Sequence, residues 1–209
     1  MKKLILLLFL CVLAIQTTSA QNEQDSTEKT SYDDGIESQW IFGFGLNLTK
    51  NSDSQFEGLF KSDNYAFGGV PIYISAETKI ANKWTAKAIL SSNRWEDGKV
   101  YGGQTILGSS EAAPNADYLA FDIGANYYFL NSKKWMPYLS AGMGVSQFGD
   151  YYTQENPSIL VKPGTVFTIN LGLGLNVWFS DHWGLNLNTL GKWGSENLHQ
   201  HSIGVLYQL

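Results

Sequence analysis

From Trp40 onward, apolar and polar side chains alternate with a period of two, the pattern of strands with two contrasting faces. In the first segment Trp40, Phe42, Phe44, Leu46 and Leu48 share a face, and Ile41, Gly43, Gly45 and Asn47 share the other. The second places Val70, Ile72, Ile74, Ala76 and Ile80 against Tyr73, Ser75, Glu77 and Lys79. The third places Trp84, Ala86, Ala88 and Leu90 against Thr85, Lys87, Ser91 and Asn93. The fourth sets Leu119, Phe121, Ile123, Ala125, Tyr127 and Phe129 against Asp122, Gly124, Asn126 and Tyr128. The fifth sets Pro137, Leu139, Ala141, Met143 and Val145 against Tyr138, Ser140, Gly142, Gly144 and Ser146. The sixth is the cleanest, with alternate apolar residues from Phe167 to Phe179 facing Thr168, Asn170, Gly172, Gly174 and Asn176. Trp183, Leu185 and Leu187 mark the seventh, and Ile203, Val205, Tyr207 and Leu209 the eighth. No helical period interrupts the series.

Connections alternate in length. Short ones (Ala81-Asn82-Lys83, residues 131–134, Ser180-Asp181-His182) follow segments two, four and six. Longer polar ones, roughly residues 49–67, 94–116, 147–163 and 193–199, follow the odd segments. Short turns therefore gather at one end of an up-and-down meander and long loops at the other. Trp84, Trp135 and Trp183 each follow a short connection, and Trp40 opens the first segment in the same way. Tryptophan is favoured at a membrane–water interface, so these four residues read as half of an aromatic girdle.

A soluble barrel has an apolar inside, and a membrane barrel has an apolar outside. The polar face here is rich in Gly, Asn and Ser, side chains compact enough for the interior of a small barrel. The other face carries long apolar rows bounded by Trp, in segments of about 10 residues, the length needed to cross a bilayer. The expectation is an all-β chain: an eight-stranded antiparallel up-and-down transmembrane β-barrel over residues 40–209, with a soluble ligand-binding barrel as the inverted alternative. With outward Ile80 opposite outward Trp84, Glu77 falls opposite Lys87 inside the lumen, and Asp122 on the next inward face can join them. This trio reads either as a salt bridge filling a plugged lumen or as a charged gate. Nine inward glycines (43, 45, 124, 142, 144, 172, 174, 184 and 204) leave room for water and hence for a narrow leak.

The N-terminus explains how such a chain reaches a membrane. Lys2 and Lys3, an apolar stretch over 4–15 and the small residues Thr18-Ser19-Ala20 form an export signal of residues 1–20. Residues 21–39 are polar and acidic, too poor in apolar side chains to build a core, and read as a flexible periplasmic leader. The only cysteine, Cys11, lies within the signal, so the exported chain has no disulfide, cysteine-based metal site or thiol nucleophile. Without the signal, 12 basic residues face 19 acidic ones, a balance that argues against a nucleic-acid partner.

Ser202, Gly204, Tyr207 and Leu209 place a polar-x-Gly-x-x-aromatic-x pattern at the chain end, with Leu209 where an aromatic is usual. With the hairpin-like stretch 172–194, this resembles the small eight-stranded outer-membrane barrels related to the membrane domain of OmpA, the porin-family type. The resemblance covers residues 40–209. It implies residence in a Gram-negative outer membrane, export by the general secretory route, and outer-membrane lipid and lipopolysaccharide as surroundings. It also implies a terminal signal read by the barrel-assembly machinery. No periplasmic peptidoglycan-binding domain is expected after the last strand.

Catalytic signals are weak. His201 and Ser202 are adjacent and therefore point to opposite faces, outside the reach a nucleophile–base pair needs. That disfavours a lipid A-modifying enzyme and leaves the histidines as rim residues. His199 and His201 share a face but lack a third metal ligand, and no cofactor motif is present. The long loops carry Phe56, Phe60, Tyr65, Trp95, Tyr101, Tyr151 and Tyr152 among Asp53, Glu57, Glu96, Asp97, Asp150 and Glu155. They read equally as a contact surface for an extracellular ligand and as packed extensions of the strands. The expected role is non-enzymatic, structural in the envelope or interactive through the loops, with a narrow channel as the alternative.

Overall fold

The computed structural model describes residues 40–51, 65–66, 68–107, 116–130, 132 and 134–209. The export signal, the leader and the loop residues Asp53, Phe56, Glu57 and Phe60 lie outside the described residues. Eight long strands form the barrel: β1 (Trp40–Asn51), β2 (Gly68–Ala81), β3 (Trp84–Trp95), β4 (Ala116–Tyr128), β5 (Trp135–Phe148), β6 (Gly164–Trp178), β7 (Trp183–Gly194) and β8 (Leu198–Gln208). Each pairs antiparallel with its neighbour in sequence. The sheet closes where β1 meets β8, from Ile41 opposite Gln208 to Asn51 opposite Leu198. Closure removes both sheet edges and pairs their backbone groups, a condition for any strand in lipid.

The faces fall as the alternation predicts. Phe44, Ile74, Ile123, Met143, Phe167, Ile169 and Ile203 are exposed on the outside, while Asn47, Glu77, Lys87, Asp122, Asn170, Asn176 and Asn186 are buried inside. The soluble alternative required the apolar rows to line the interior, and they do not. A bilayer is the solvent that suits this exterior.

Three details correct the sequence reading. Ala81, not Ile80, stands opposite Trp84, with an irregularity between Lys79 and Ala81. The tight turn at Asn82-Lys83, where Lys83 takes φ 64°, pairs Ala81 with Trp84 and leaves Ile80 as the extra residue of a bulge. Beyond the bulge the expected register resumes, and Glu77 does face Lys87. Second, β7 and β8 run further than expected, with Lys192 opposite Leu198, so the fourth long loop shrinks to Ser195-Glu196-Asn197. Third, tyrosines occupy space beside some of the inward glycines. A Cβ on Gly174 would strike the Tyr138 ring, and one on Gly204 the Tyr73 hydroxyl.

Two apolar clusters pack among the described residues, one towards each end of the barrel. At the short-turn end, Ile41, Tyr128, Met136, Tyr138, Trp178 and Leu206 pack together. At the long-loop end, Trp95, Tyr101, Ile106, Tyr118, Phe148, Tyr151, Val166 and Leu198 belong to a larger one.

Candidate functional site

Between the two clusters lie polar side chains from several strands, buried in the lumen. Glu77 on β2 and Lys87 on β3 stand opposite each other, with Lys87 Nζ 3.7 Å from Glu77 Oε2. Thr85 and Tyr128 each donate to Glu77 Oε1 at 2.5 Å. The carboxylate is thus solvated by hydroxyls as well as by the ammonium, which offsets the cost of burying it. An amide and phenol ladder extends from it. Asn176 donates to Tyr128 at 2.9 Å, Asn186 to Asn176 at 2.7 Å and to Tyr138 at 2.9 Å.

Asp122 does not join this pair. It stands opposite Ile89 and Gly144, and its partner is Lys192, whose Nζ lies 2.8 Å from Oδ1 and 2.9 Å from Oδ2. Asn170 donates to Asp122 Oδ1 at 2.8 Å, and Lys192 donates to the Tyr118 hydroxyl at 3.0 Å. Among the described residues, the lumen therefore holds two ion pairs rather than one trio. Lys192 was assigned to neither face because the apolar signature of β7 fades after Leu187. Continuing the alternation from Asn186 and Asn188 places it inside.

Above the barrel, two loops merge into one small sheet. The strand Gln104–Leu107 pairs with Val100–Tyr101 on one side and, through Ile106 and Leu107, with Tyr152–Thr153 on the other. Gly102 and Gly103, at φ 58° and 74°, make the left-handed hairpin turn. Glu155 accepts the Thr105 amide at 3.1 and 3.2 Å, and hydrogen bonds from its own backbone amide and from that of Thr105 lower its carboxyl from the ordinary value. Trp95 meets Tyr101 at 5.0 Å between ring centroids and Tyr118 at 5.9 Å, both edge to face. Burial, with Glu196 nearby, pushes the Tyr151 phenol up to about 12 and the Tyr101 phenol higher. Tyr65, Trp95, Tyr101 and Tyr151 are buried, so these loop aromatics pack and do not form an open contact surface. Glu96, Asp97 and Glu155 remain exposed.

The remaining candidates are scattered. Trp84, Trp135 and Trp183 are exposed and Trp40 half-buried, all on strands that start at the short-turn end. Ser202 stands opposite Asn47 and Asn188, Gly204 opposite Gly45 and Asn186. The Tyr207 ring lies 4.9 Å from Trp183, and the Leu209 amide donates to Trp40 O at 3.1 Å. His199 is buried against Trp193, and His201 Nδ1 pairs with Thr189 Oγ1 at 2.9 Å. Among the described residues, no three His, Cys, Asp or Glu gather as metal ligands.

No family profile and no curated protein sequence matches the chain. Solved structures do. The outer-membrane protein OprG of Pseudomonas aeruginosa superposes with a TM-score of 0.58 at 13% identity, covering 86% of this chain and 99% of that one. Neisserial surface protein A gives 0.54 at 14%, covering 81% and 97%. The attachment invasion locus protein Ail of Yersinia pestis gives 0.51 at 11%, covering 82% and 97%. The chain therefore has the fold of the small eight-stranded outer-membrane β-barrels.

Proposed function

We propose that this protein resides in the bacterial outer membrane as a closed, non-enzymatic barrel that holds a preorganised loop platform at the cell surface. The observation that carries the reading is the pair of apolar clusters, one towards each end of the barrel, with two buried ion pairs between them. A lumen filled in this way would hold back solutes, and the small sheet joining two loops would present a surface. The four tryptophans would sit at the periplasmic interface, and outer-membrane lipid and lipopolysaccharide would surround the apolar belt. The terminal segment with Ser202, Gly204, Tyr207 and Leu209 would be read by the barrel-assembly machinery.

The platform and its rim carry Glu96, Asp97, Asp150, Glu155 and Glu196 against Lys99 and Lys162. Ail has been solved with the heparin analogue sucrose octasulfate. The acidic balance here favours a neutral or basic surface over a sulfated polysaccharide.

Planar-bilayer recording of the purified protein tests the closed lumen. The expected trace stays at baseline for the native protein. Reproducible unitary steps, altered by Glu77→Ala, would establish the narrow-channel alternative instead. Unchanged lipid A mass spectra with and without the protein are expected for a non-enzyme.

A further inference from the structure

The two ion pairs do not touch, but a cavity of about 20 Å³ lies between them, where Lys87, Asp122, Ser140 and Asn170 meet the apolar residues Ile89 and Leu190. Gly124 and Gly142 form part of its wall, and a Cβ on either would run into the backbone of the neighbouring strand. The space is therefore a consequence of close strand approach and is not easily filled by a larger side chain. Its size suits one water, and the four polar side chains within a largely apolar lining can supply the two to four partners that a buried water needs.

The Lys87 ammonium has an unmet demand. It carries three protons, yet Glu77 stands at 3.7 Å, beyond hydrogen-bond distance, and the Tyr138 hydroxyl can take only one. Asp122 has capacity to spare on the opposite wall. Oδ2 takes Lys192 at 2.9 Å, whereas Oδ1 already takes Asn170 as well. The charges read Glu77, Lys87, Asp122, Lys192, alternating in sign and summing to zero, so the site favours a neutral dipole over an ion.

We propose that this cavity is a built water site, in which one long-lived water accepts from Lys87, donates to Asp122 and joins the two ion pairs into a single network. The water has Ser140 as its third partner. The proposal rests on the closed-lumen reading, since a water held by both pairs is static and does not belong to a conducting column.

The test is water–protein NMR on the protein in lipid nanodiscs, read at the inward Hα protons of Gly124 and Gly142. Long-lived water gives cross-peaks there with the sign of slow tumbling, and Ser140→Val, which fills the space, abolishes them. Absence of such cross-peaks in the native protein, or entry of xenon into the site, would mean a dry cavity and overturn the proposal. Cross-peaks with the sign of fast exchange would also overturn it. Conductance, recorded separately, distinguishes failure of the water site alone from failure of the closed lumen.

Discussion

Lys192 shows what one side chain contributes to this interior. Its ammonium is fully buried, and Asp122, Asn170 and Tyr118 share its neighbourhood. Removing one partner of a buried pair strands the other charge, which costs about 3–5 kcal/mol. Lys192→Met is therefore expected to lower the urea midpoint of the refolded barrel sharply. Adding Asp122→Asn should recover most of the loss, because two neutral groups replace an orphaned charge. Gly174 makes a second residue-scale case. A Cβ there meets the Tyr138 ring, so Gly174→Ala should destabilise by about 1–3 kcal/mol through overpacking. Equal stability of this variant and the native chain in urea titration would contradict the packing described. At this scale the sequence was legible where parity was unbroken. Glu77 and Lys87 were placed opposite each other correctly, whereas the partner of Asp122 was not found, because pairing across a lumen depends on curvature that a linear pattern does not carry.

At the scale of elements, alternation identified all eight strands and both faces. It failed at the ends. Towards the long-loop end the positions that continue the apolar rows of β1, β7 and β8 are Lys50, Thr189, His199 and His201, so the apolar signature ends while pairing continues. The hairpin at Ser195-Glu196-Asn197 was consequently overestimated as a long loop. The platform sheet was illegible for a different reason: it joins two loops distant in sequence through short strands, and no period survives in segments that brief. Its stability should depend on pH through Glu155. The folded carboxyl lies below its ordinary value, so its contribution is complete above the unfolded value and vanishes as pH falls through the folded one. Hydrogen exchange at Thr105 should accelerate below the ordinary carboxylate range beyond the intrinsic trend, and Glu155→Gln should remove that pH dependence. A Thr105 amide that exchanges identically in both proteins would sink this account. The terminal strand carries a separate expectation: Tyr207→Ala should lower the yield of folded barrel in cells, and Leu209→Phe should raise it.

For the whole molecule, the inside–outside inversion is the decisive property. An apolar exterior, a charged interior with its charges paired and closure at β1–β8 suit a chain whose solvent is lipid. The two ends differ as well. Three long connections and an acidic platform stand at one, and short turns with exposed tryptophans at the other. On the proposed function, that polarity gives a direction to insertion, with the platform outside. The most direct test separates outer membranes from cells producing the protein and runs them on a gel with and without boiling, alongside protease treatment of intact cells. The account predicts a membrane-bound protein whose unboiled form migrates differently, cut only within the connections 49–67, 94–116 and 147–163. A soluble periplasmic protein of one mobility, or cuts at the short turns in intact cells, would contradict it.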